Sequence, residues 1–420
     1  MLKVLVKIAE KKCFVFSQTF RIEFYDDICP QVNMRQKLYF VLLFFLPLLI
    51  EGQEIPKLSQ SAQISILTCG TGNQLYSAFG HTAFRVQDSV LGLDMVYNYG
   101  TFDFNKPNFY TNFAKGKLIY SLSRKSFERF LFEYEYEKRW VKEQILNLNP
   151  DEVNQLFRYL EINYRPGNRD YLYDPLFNNC SNISGTILKE QLGDDLIFDG
   201  SHLKDPRTFR ELVREYISLN TWGSFGIELA FGGITDRVAT VEEHMFQPYY
   251  AMKQFQNTTK GGQPFVKRER TILNYPDSEY HTIFTLSPLF WSLLLLGFVV
   301  VITYLDFKHD TQNQWLDFLL FFLSGVVGVG ILLLWFATDH VVTHYNFNFL
   351  WLFPPNLIAA FYILKDPSKV SWLKNYLWVA LGCIGLVFII WIFGIQILSP
   401  LNIPLILVLV TRYLLLIKRM

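Results

Sequence analysis

The stretch Phe177–Leu192, FNNCSNISGTILKEQL, decides how the first half of this chain is read. It sets one cysteine, Cys180, among asparagines and serines directly ahead of a helix-like run. Asn and Ser favour the cap of a helix, so the cysteine is expected at a helix N-terminus. Unpaired backbone N–H groups and the positive end of the helix dipole would then sit beside its sulfur, favouring thiolate and lowering its pKa. The same N–H groups can hold a tetrahedral oxyanion.

A nucleophilic sulfur needs a base, most often histidine. The best placed is His81 in SAFGHTAFRV, after a glycine and just before a strand-like run. His202, His244 and His281 also precede the apolar C-terminal part, none of them in a strand context. A third group should orient the imidazole. Asn98 in VYNYG is the first candidate, ahead of Asp103 and Asp174. A competing account of Cys180 is a disulfide to Cys69, which an oxidising compartment would permit. The order is His first and Cys about a hundred residues later, the reverse of ordinary papain-like enzymes. That order, with His on a strand and Cys opening a later helix, resembles circularly permuted NlpC-type and lecithin:retinol-acyltransferase-like folds.

Working outward, the first part reads as an α+β domain. QISILT (63–68), TAFRVQ (82–87), DMVYNY (94–99) and KLIYSLS (117–123) are short and rich in β-branched and aromatic residues. Residues 126–148 carry apolar positions near a 3.6 period and predict a helix. Asn149-Pro150-Asp151-Glu152 and Asp205-Pro206 are helix starts. Residues 253–283 are polar and are expected to lead irregularly into the membrane part.

The second part is membrane-like. Five apolar segments follow Phe284: about 286–304, 315–336, 349–364, 377–398 and 403–417, the third and fifth short for a span. The expected architecture is an exported domain over 53–283, then an all-α bundle of about five transmembrane helices over 284–420. Upstream, Arg35 and Lys37 precede the apolar run 38–50, with Gly52 at a cleavage-like position. Residues 34–52 thus have the layout of a secretory signal, and residues 1–33 are read as an overcalled start. Loops 305–314 and 365–376 and the C-terminus carry Lys and Arg, whereas 337–348 and 399–402 carry none. The positive-inside rule therefore puts the first domain outside and the C-terminus in the cytoplasm. A formal net charge of +1 gives no reason to expect nucleic acid as a partner.

A second constellation is Asp339-His340-x-x-x-His344 in an exported loop. Two histidines four apart could bind a metal on a helix, but no Glu follows His340, so the zincin pattern is missing. The open readings are plain loop structure and a headgroup-binding role for Asp339 and His340, joined by Asn346 and Asn348. Arg139 and Arg169 are candidates for bidentate phosphate binding. The reading needs no metal and no cofactor.

Longer strings carry a closer resemblance. LTCGTGNQLYSAFGHTAFRV (67–86), VYNYGTFDF (96–104), NFYTNFAKGKLIYSL (108–122), RWVKEQILNL (139–148) and NYRPGNRDYLYDPLFNNCSN (163–182) resemble the exported domain of the Bacteroidota lipoprotein N-acyltransferase family, Lnb. TDHVVTHYNFNFLW (338–351) resembles its membrane part. The match runs from about residue 57 onward. It departs at Gly167, where Glu is expected in a Pro-Glu-Asn-Arg turn, and at Asn182, where Thr is commoner. The resemblance implies transfer of a fatty acyl chain from a phospholipid, through a cysteine thioester, to the α-amine of a lipoprotein's diacylglyceryl cysteine. The alternatives are a membrane-bound cysteine hydrolase on the same fold, acting on peptidoglycan or lipid, and a non-enzymatic envelope assembly factor.

Overall fold

The computed structural model describes residues 55–420 apart from 106, 278–282 and 366–369. The expected signal at 34–52, the segment 1–33 with Cys13 and Cys29, and His281 lie outside the described residues.

The first elements are β1 (Gln63–Cys69), β2 (His81–Asp88), β3 (Leu93–Thr101), α1 (Phe109–Ala114), β4 (Ile119–Ser126), α2 (Phe127–Tyr136), β5 (Val141–Leu146), α3 (Pro150–Tyr164), β6 (Asp170–Leu172) and α4 (Asn182–Leu192). After β7 (Leu196–Ile197) come α5 (Phe209–Arg214), α6 (Trp222–Ala230), α7 (Pro248–Asn257), β8 (Thr259–Lys260), β9 (Gln263–Pro264) and β10 (Val266–Leu273). Seven strands form one antiparallel sheet in the order β10-β5-β1-β2-β3-β4-β6. β1 and β2 lie at its centre, and nearly every residue of both is buried, as expected for strands covered on both faces.

Three local expectations are corrected. The 126–148 helix stops at Tyr136, Lys138 takes a left-handed backbone with φ 54°, and Val141–Leu146 becomes a strand between β1 and β10. The helical period was carried by Phe127 to Tyr134 alone. VKEQIL hides its polarity because Glu143 is buried and accepts hydrogen bonds from Ser65 Oγ (2.6 Å), Arg85 Nη1 (3.0 Å) and Arg270 Nε (2.5 Å). The second helix start shifts to Thr208, whose capping box with Glu211 satisfies the first-turn N–H groups better than Asp205-Pro206 could. Within 253–283, Val266–Leu273 is an edge strand rather than an irregular lead. The start at Asn149 holds: its side chain caps Asp151 and Glu152 N–H.

The C-terminal part contains α8 (Pro288–His309), α9 (Gln314–Phe336), α10 (Asn356–Ile363), α11 (Leu373–Ile392) and α12 (Ile403–Arg419). Among the described residues, four helices are long and apolar enough to cross a membrane. The third expected segment is compound. A 3-10 turn at Phe347–Leu350 leads through Pro354-Pro355 into the eight residues of α10, which at ~1.5 Å per residue cannot span a bilayer alone. Non-helical backbone at that depth is tolerated where protein covers it. Gly325 and Gly328 of α9 allow the cover: a Cβ at either would overlap the backbone of Leu357 or Leu352.

Contacts fix which ends lie together. Arg419 bonds the carbonyls of Asp310 and Thr311, so the C-terminus adjoins the α8–α9 turn. Deeper in, Arg412 bridges Asp306 (2.9 Å) and Asp317 (2.5 Å), tying α12 to α8 and α9. At the other end the helices dock on the sheet domain. Gly232 N–H donates to Val342 O (3.0 Å), Gly233 N–H to Tyr345 O (2.9 Å) and Asp339 N–H to Lys115 O (2.9 Å). Ile397 N–H donates to Asp236 (3.1 Å), itself held by buried Arg210, which also pairs with Glu228. The sheet domain is thus fixed against one end of the helices.

Candidate active site

Two antiparallel strands normally stay paired to their ends, but β2 and β3 do not. Their ladder closes at Phe84↔Tyr97, while β1 and β2 continue to Cys69↔His81. β3 is bulged between Asn98 and Thr101 where it meets β4, and Gly100 there has φ +89°. The gap opened at the start of β2 is where Cys180 enters. A Cβ on Gly100 would lie 3.4 Å from Cys180 Cβ and 4.0 Å from His81 Cε1. Glycine is what lets the two functional side chains close around the strand end.

The turn that presents Cys180 is held by its asparagines. Asn179 Oδ1 accepts from the N–H groups of Ser181 (2.8 Å) and Asn182 (3.2 Å), and Asn182 Oδ1 accepts from Asn179 N–H (2.8 Å). This reciprocal pair does what a capping box does. Asn182, the departure noted in the sequence, is therefore a structural member of the turn. The amide of Asn179 also reaches across to Phe246 O (2.8 Å), pinning the turn to the fold. Cys180 precedes α4 by two residues, as expected for a helix entrance.

His81 is the first residue of β2, and its Nε2 hydrogen-bonds Asn98 Oδ1. With Nε2–H donated to Asn98, the free lone pair is on Nδ1. Both His81 and Cys180 keep partial exposure through an opening while protein packs the rest of each. Burial pulls the His81 pKa down to about 4 and pushes the Cys180 thiol up to about 11. Against the expected thiolate stands burial, which outweighs the backbone N–H groups of Thr82 and Cys180 itself that favour the anion. Both shifts favour a neutral thiol beside a neutral imidazole. Among the described residues no disulfide forms, since Cys69, Cys180 and Cys383 are all free; Cys69 is buried opposite His81, and burial raises its pKa to about 12.

The other candidates have partners of their own. Asp103 and Asp174 accept backbone N–H groups of their own turns, Asp103 from Asn105 and Asp174 from Leu176 and Phe177. Arg139 is buried, bonding Gly70 O (2.9 Å) and Glu137 (2.9 Å). The backbone carbonyl of Arg169 accepts from Leu122 N–H (2.8 Å), and the residue is partly exposed beside β6. Asp339 is exposed; His340 Nε2 lies 2.9 Å from Phe113 O. Asn346 is buried with its amide hydrogens on Leu229 O (2.9 Å) and Ala230 O (3.0 Å), and Asn348 adds a bond to Leu229 O (3.2 Å). His340 and His344 flank a 3-10 turn rather than sharing a helix face, and no metal-binding group of three ligands occurs among the described residues. This loop is a docking element.

Family models match both halves of the chain. The Lnb N-terminal periplasmic domain matches residues 58–215, and the Lnb transmembrane domain matches residues 279–419. The chain belongs to the Lnb family. It is a membrane protein with a periplasmic domain, and the Cys180–His81–Asn98 cluster lies wholly within the periplasmic match. No curated protein and no solved structure matches it.

In this Lnb chain, three contributors to the cluster escaped the sequence reading. Thr82 supplies an N–H, Gly100 supplies room, and Tyr171 places its buried hydroxyl 4.0 Å from the Gly100 Cβ position. Only Gly100, in VYNYG, left a trace in composition. A cleft of about 590 Å³ lies beyond Gly80, lined by Cys69, Trp140, Glu215 and Asp277, but neither Cys180 nor His81 lines it.

Proposed function

We propose that this Lnb chain is a cysteine-dependent lipoprotein N-acyltransferase of the inner membrane, its catalytic domain periplasmic and its C-terminus cytoplasmic. The observation that carries the reading is the Cys180–His81–Asn98 arrangement on a domain docked against the membrane helices. Donor and acceptor both live in the outer leaflet, and a domain held at that surface gains proximity to each.

His81 Nδ1 takes the Cys180 proton as sulfur attacks the ester carbonyl of a phospholipid. The N–H groups of Thr82 and Cys180, which lie at the sulfur, are the donors available to the oxyanion that develops beside it. Collapse breaks the C–O bond, and His81 returns the proton to the lysophospholipid oxygen, leaving a thioester. The lipoprotein's neutral α-amine then attacks; its nitrogen proton passes by way of His81 to the departing sulfur, and an amide remains. An α-amine with a pKa of ~7.7–8.0 is substantially neutral near pH 7.5, whereas a lysine is not, which favours the N-terminus.

The test replaces the chromosomal copy with Cys180→Ala or His81→Ala and reads lipoprotein N-termini by mass spectrometry. Both variants should insert normally and leave the amine free. Unchanged N-acylation with Cys180→Ala as the only copy refutes the proposal; release of free fatty acid without amide would favour the lipase reading.

A further inference from the structure

A second apolar cavity, of about 580 Å³, lies where the sheet domain meets the membrane helices. Ala114 and α6, through Gly226 and Ala230, form one wall; α9, through Gly330, Leu334 and Thr338 just beyond its end, forms the other. The lining is apolar, of aliphatic side chains and glycines. Its one hydroxyl, on Thr338, is already donated to Leu334 O (2.6 Å), so nothing in the groove asks for a polar ligand. Gly226 and Gly330 both face open space, with no atom within 4 Å of where a Cβ would stand. The volume lies within the ~300–1,000 Å³ typical of ligand sites.

The position says what covers it. The α9 wall belongs to a membrane-crossing helix, with Val327 and Leu333 exposed beside the groove, so hydrocarbon is the medium against it. The other wall is the underside of the catalytic domain. Ala114 ends α1, and from α1 a run of rings leads inward: Phe113 to Phe109 (6.5 Å), Phe109 to Phe102 (6.4 Å), Phe102 to Tyr120 (5.1 Å), and Tyr120 stacked on Tyr173 (4.2 Å). Phe102 stands two residues from Gly100, whose Cβ position lies 3.4 Å from Cys180 Cβ and 4.0 Å from the hydroxyl of Tyr171, two residues before Tyr173. Phe104, Tyr110 and Phe113 are more than half exposed along this run, as aromatic side chains at a headgroup boundary are.

We propose that the α6–α9 groove seats one acyl chain of a bilayer phospholipid, with the aromatic run leading its glycerol esters toward Cys180. The inference rests on the acyltransferase reading for its purpose, but not for its test. Full-length Cys180→Ala protein, which cannot consume the lipid, is placed in nanodiscs of phosphatidylethanolamine with one diazirine-bearing acyl chain. After irradiation, labelled peptides are mapped. Labels should concentrate on 226–230 and 327–338, and Gly330→Phe or Gly226→Leu should lower them by about tenfold, equal to 1.4 kcal/mol. Gly382→Phe, at an equally open glycine on α11, is the control and should leave groove labelling unchanged. Labelling spread evenly over the lipid faces of all spans, or unmoved by both groove variants, overturns the groove. So does capture of a diazirine-bearing diacylglyceryl lipopeptide in place of the phospholipid. Groove labelling without any thioester on the unmutated chain would instead remove the acyltransferase reading and spare the groove.

Discussion

Asn98 Oδ1 holds His81 by Nε2, and this fixes which imidazole nitrogen can act. The amide accepts Nε2–H, so the lone pair of the neutral ring is on Nδ1. Asn98→Ala should leave the fold intact but free the ring to rotate and to change tautomer. Thioester formation, followed as hydroxylamine-sensitive fatty acid on the protein, should slow by about tenfold to a hundredfold. His81→Ala should slow it by ~10²–10⁴, the usual contribution of a general base. Equal effects from the two variants would mean that Asn98 has some role besides orientation.

The neutral resting pair makes a distinctive pH profile. Burial holds the imidazole near 4 rather than its ordinary 6.5, so the base stays deprotonated at every pH above about 5. The rate of thioester formation should be flat from pH 5.5 to 8 and fall only as the imidazole protonates near 4. An ion-pair mechanism would instead need His81 protonated and Cys180 ionised together, with an inflection near neutrality. The same shift sets a stability window. The unfolded chain takes up a proton at His81 below about 6.5 and the folded chain only near 4, so stability drains as pH falls between those values. His81→Gln should flatten that part of a denaturation-versus-pH curve.

Gly100 is where strain and crowding coincide. Its φ of +89° disfavours any side chain, and a methyl group would sit 3.4 Å from Cys180 Cβ. Gly100→Ala should cost about 1–3 kcal/mol of stability, the usual range for a forced left-handed residue. It should also slow acylation more than a distant substitution of equal thermal cost. Gly92, also at positive φ but with open space around it, is the matched control: Gly92→Ala should show the thermal loss alone.

Much of this was legible in sequence because it is local. The strands around His81, the asparagine-rich turn at Cys180 and the capping box at Asn149 each announce themselves within a few residues. The partnership of His81 with Asn98 was readable as order along two neighbouring strands. What was hidden depends on distant pairing. VKEQIL looks helical until Glu143 finds Ser65, Arg85 and Arg270. The splay of β2 from β3, which makes the slot for Cys180, exists only through the register of three strands. The thiol's raised pKa follows from enclosure that no helix-start motif encodes. Likewise the loop 339–348 has the composition of a ligand site, but His340 meets backbone of α1 and Asn346 meets backbone of α6 across the chain.

That docking loop gives the sharpest separation between the transferase and a hydrolase on the same fold. A Cβ on Gly232 would overlap His344 O and lie 2.9 Å from Thr343 O, so Gly232→Ala should pry α6 from the loop. Asn346→Ala, the milder variant, removes the side-chain donor to Ala230 O and leaves Leu229 O its bond from Asn348, a loss of about 1–3 kcal/mol for an unpaired buried group. Hydrogen exchange over 229–234 and 338–348 should rise in both, while exchange in β1 and β2 stays low. An enzyme acting on a soluble substrate depends little on where its domain sits above the membrane, so its turnover should survive undocking. Transfer between two lipid-anchored partners depends on that height through proximity, which can supply several kcal/mol of a barrier. Undocking should therefore abolish lipoprotein N-acylation while Cys180 still reacts at its normal rate with a small soluble thioester. Normal N-acylation in a variant whose loop exchanges freely would detach the function from the docked geometry.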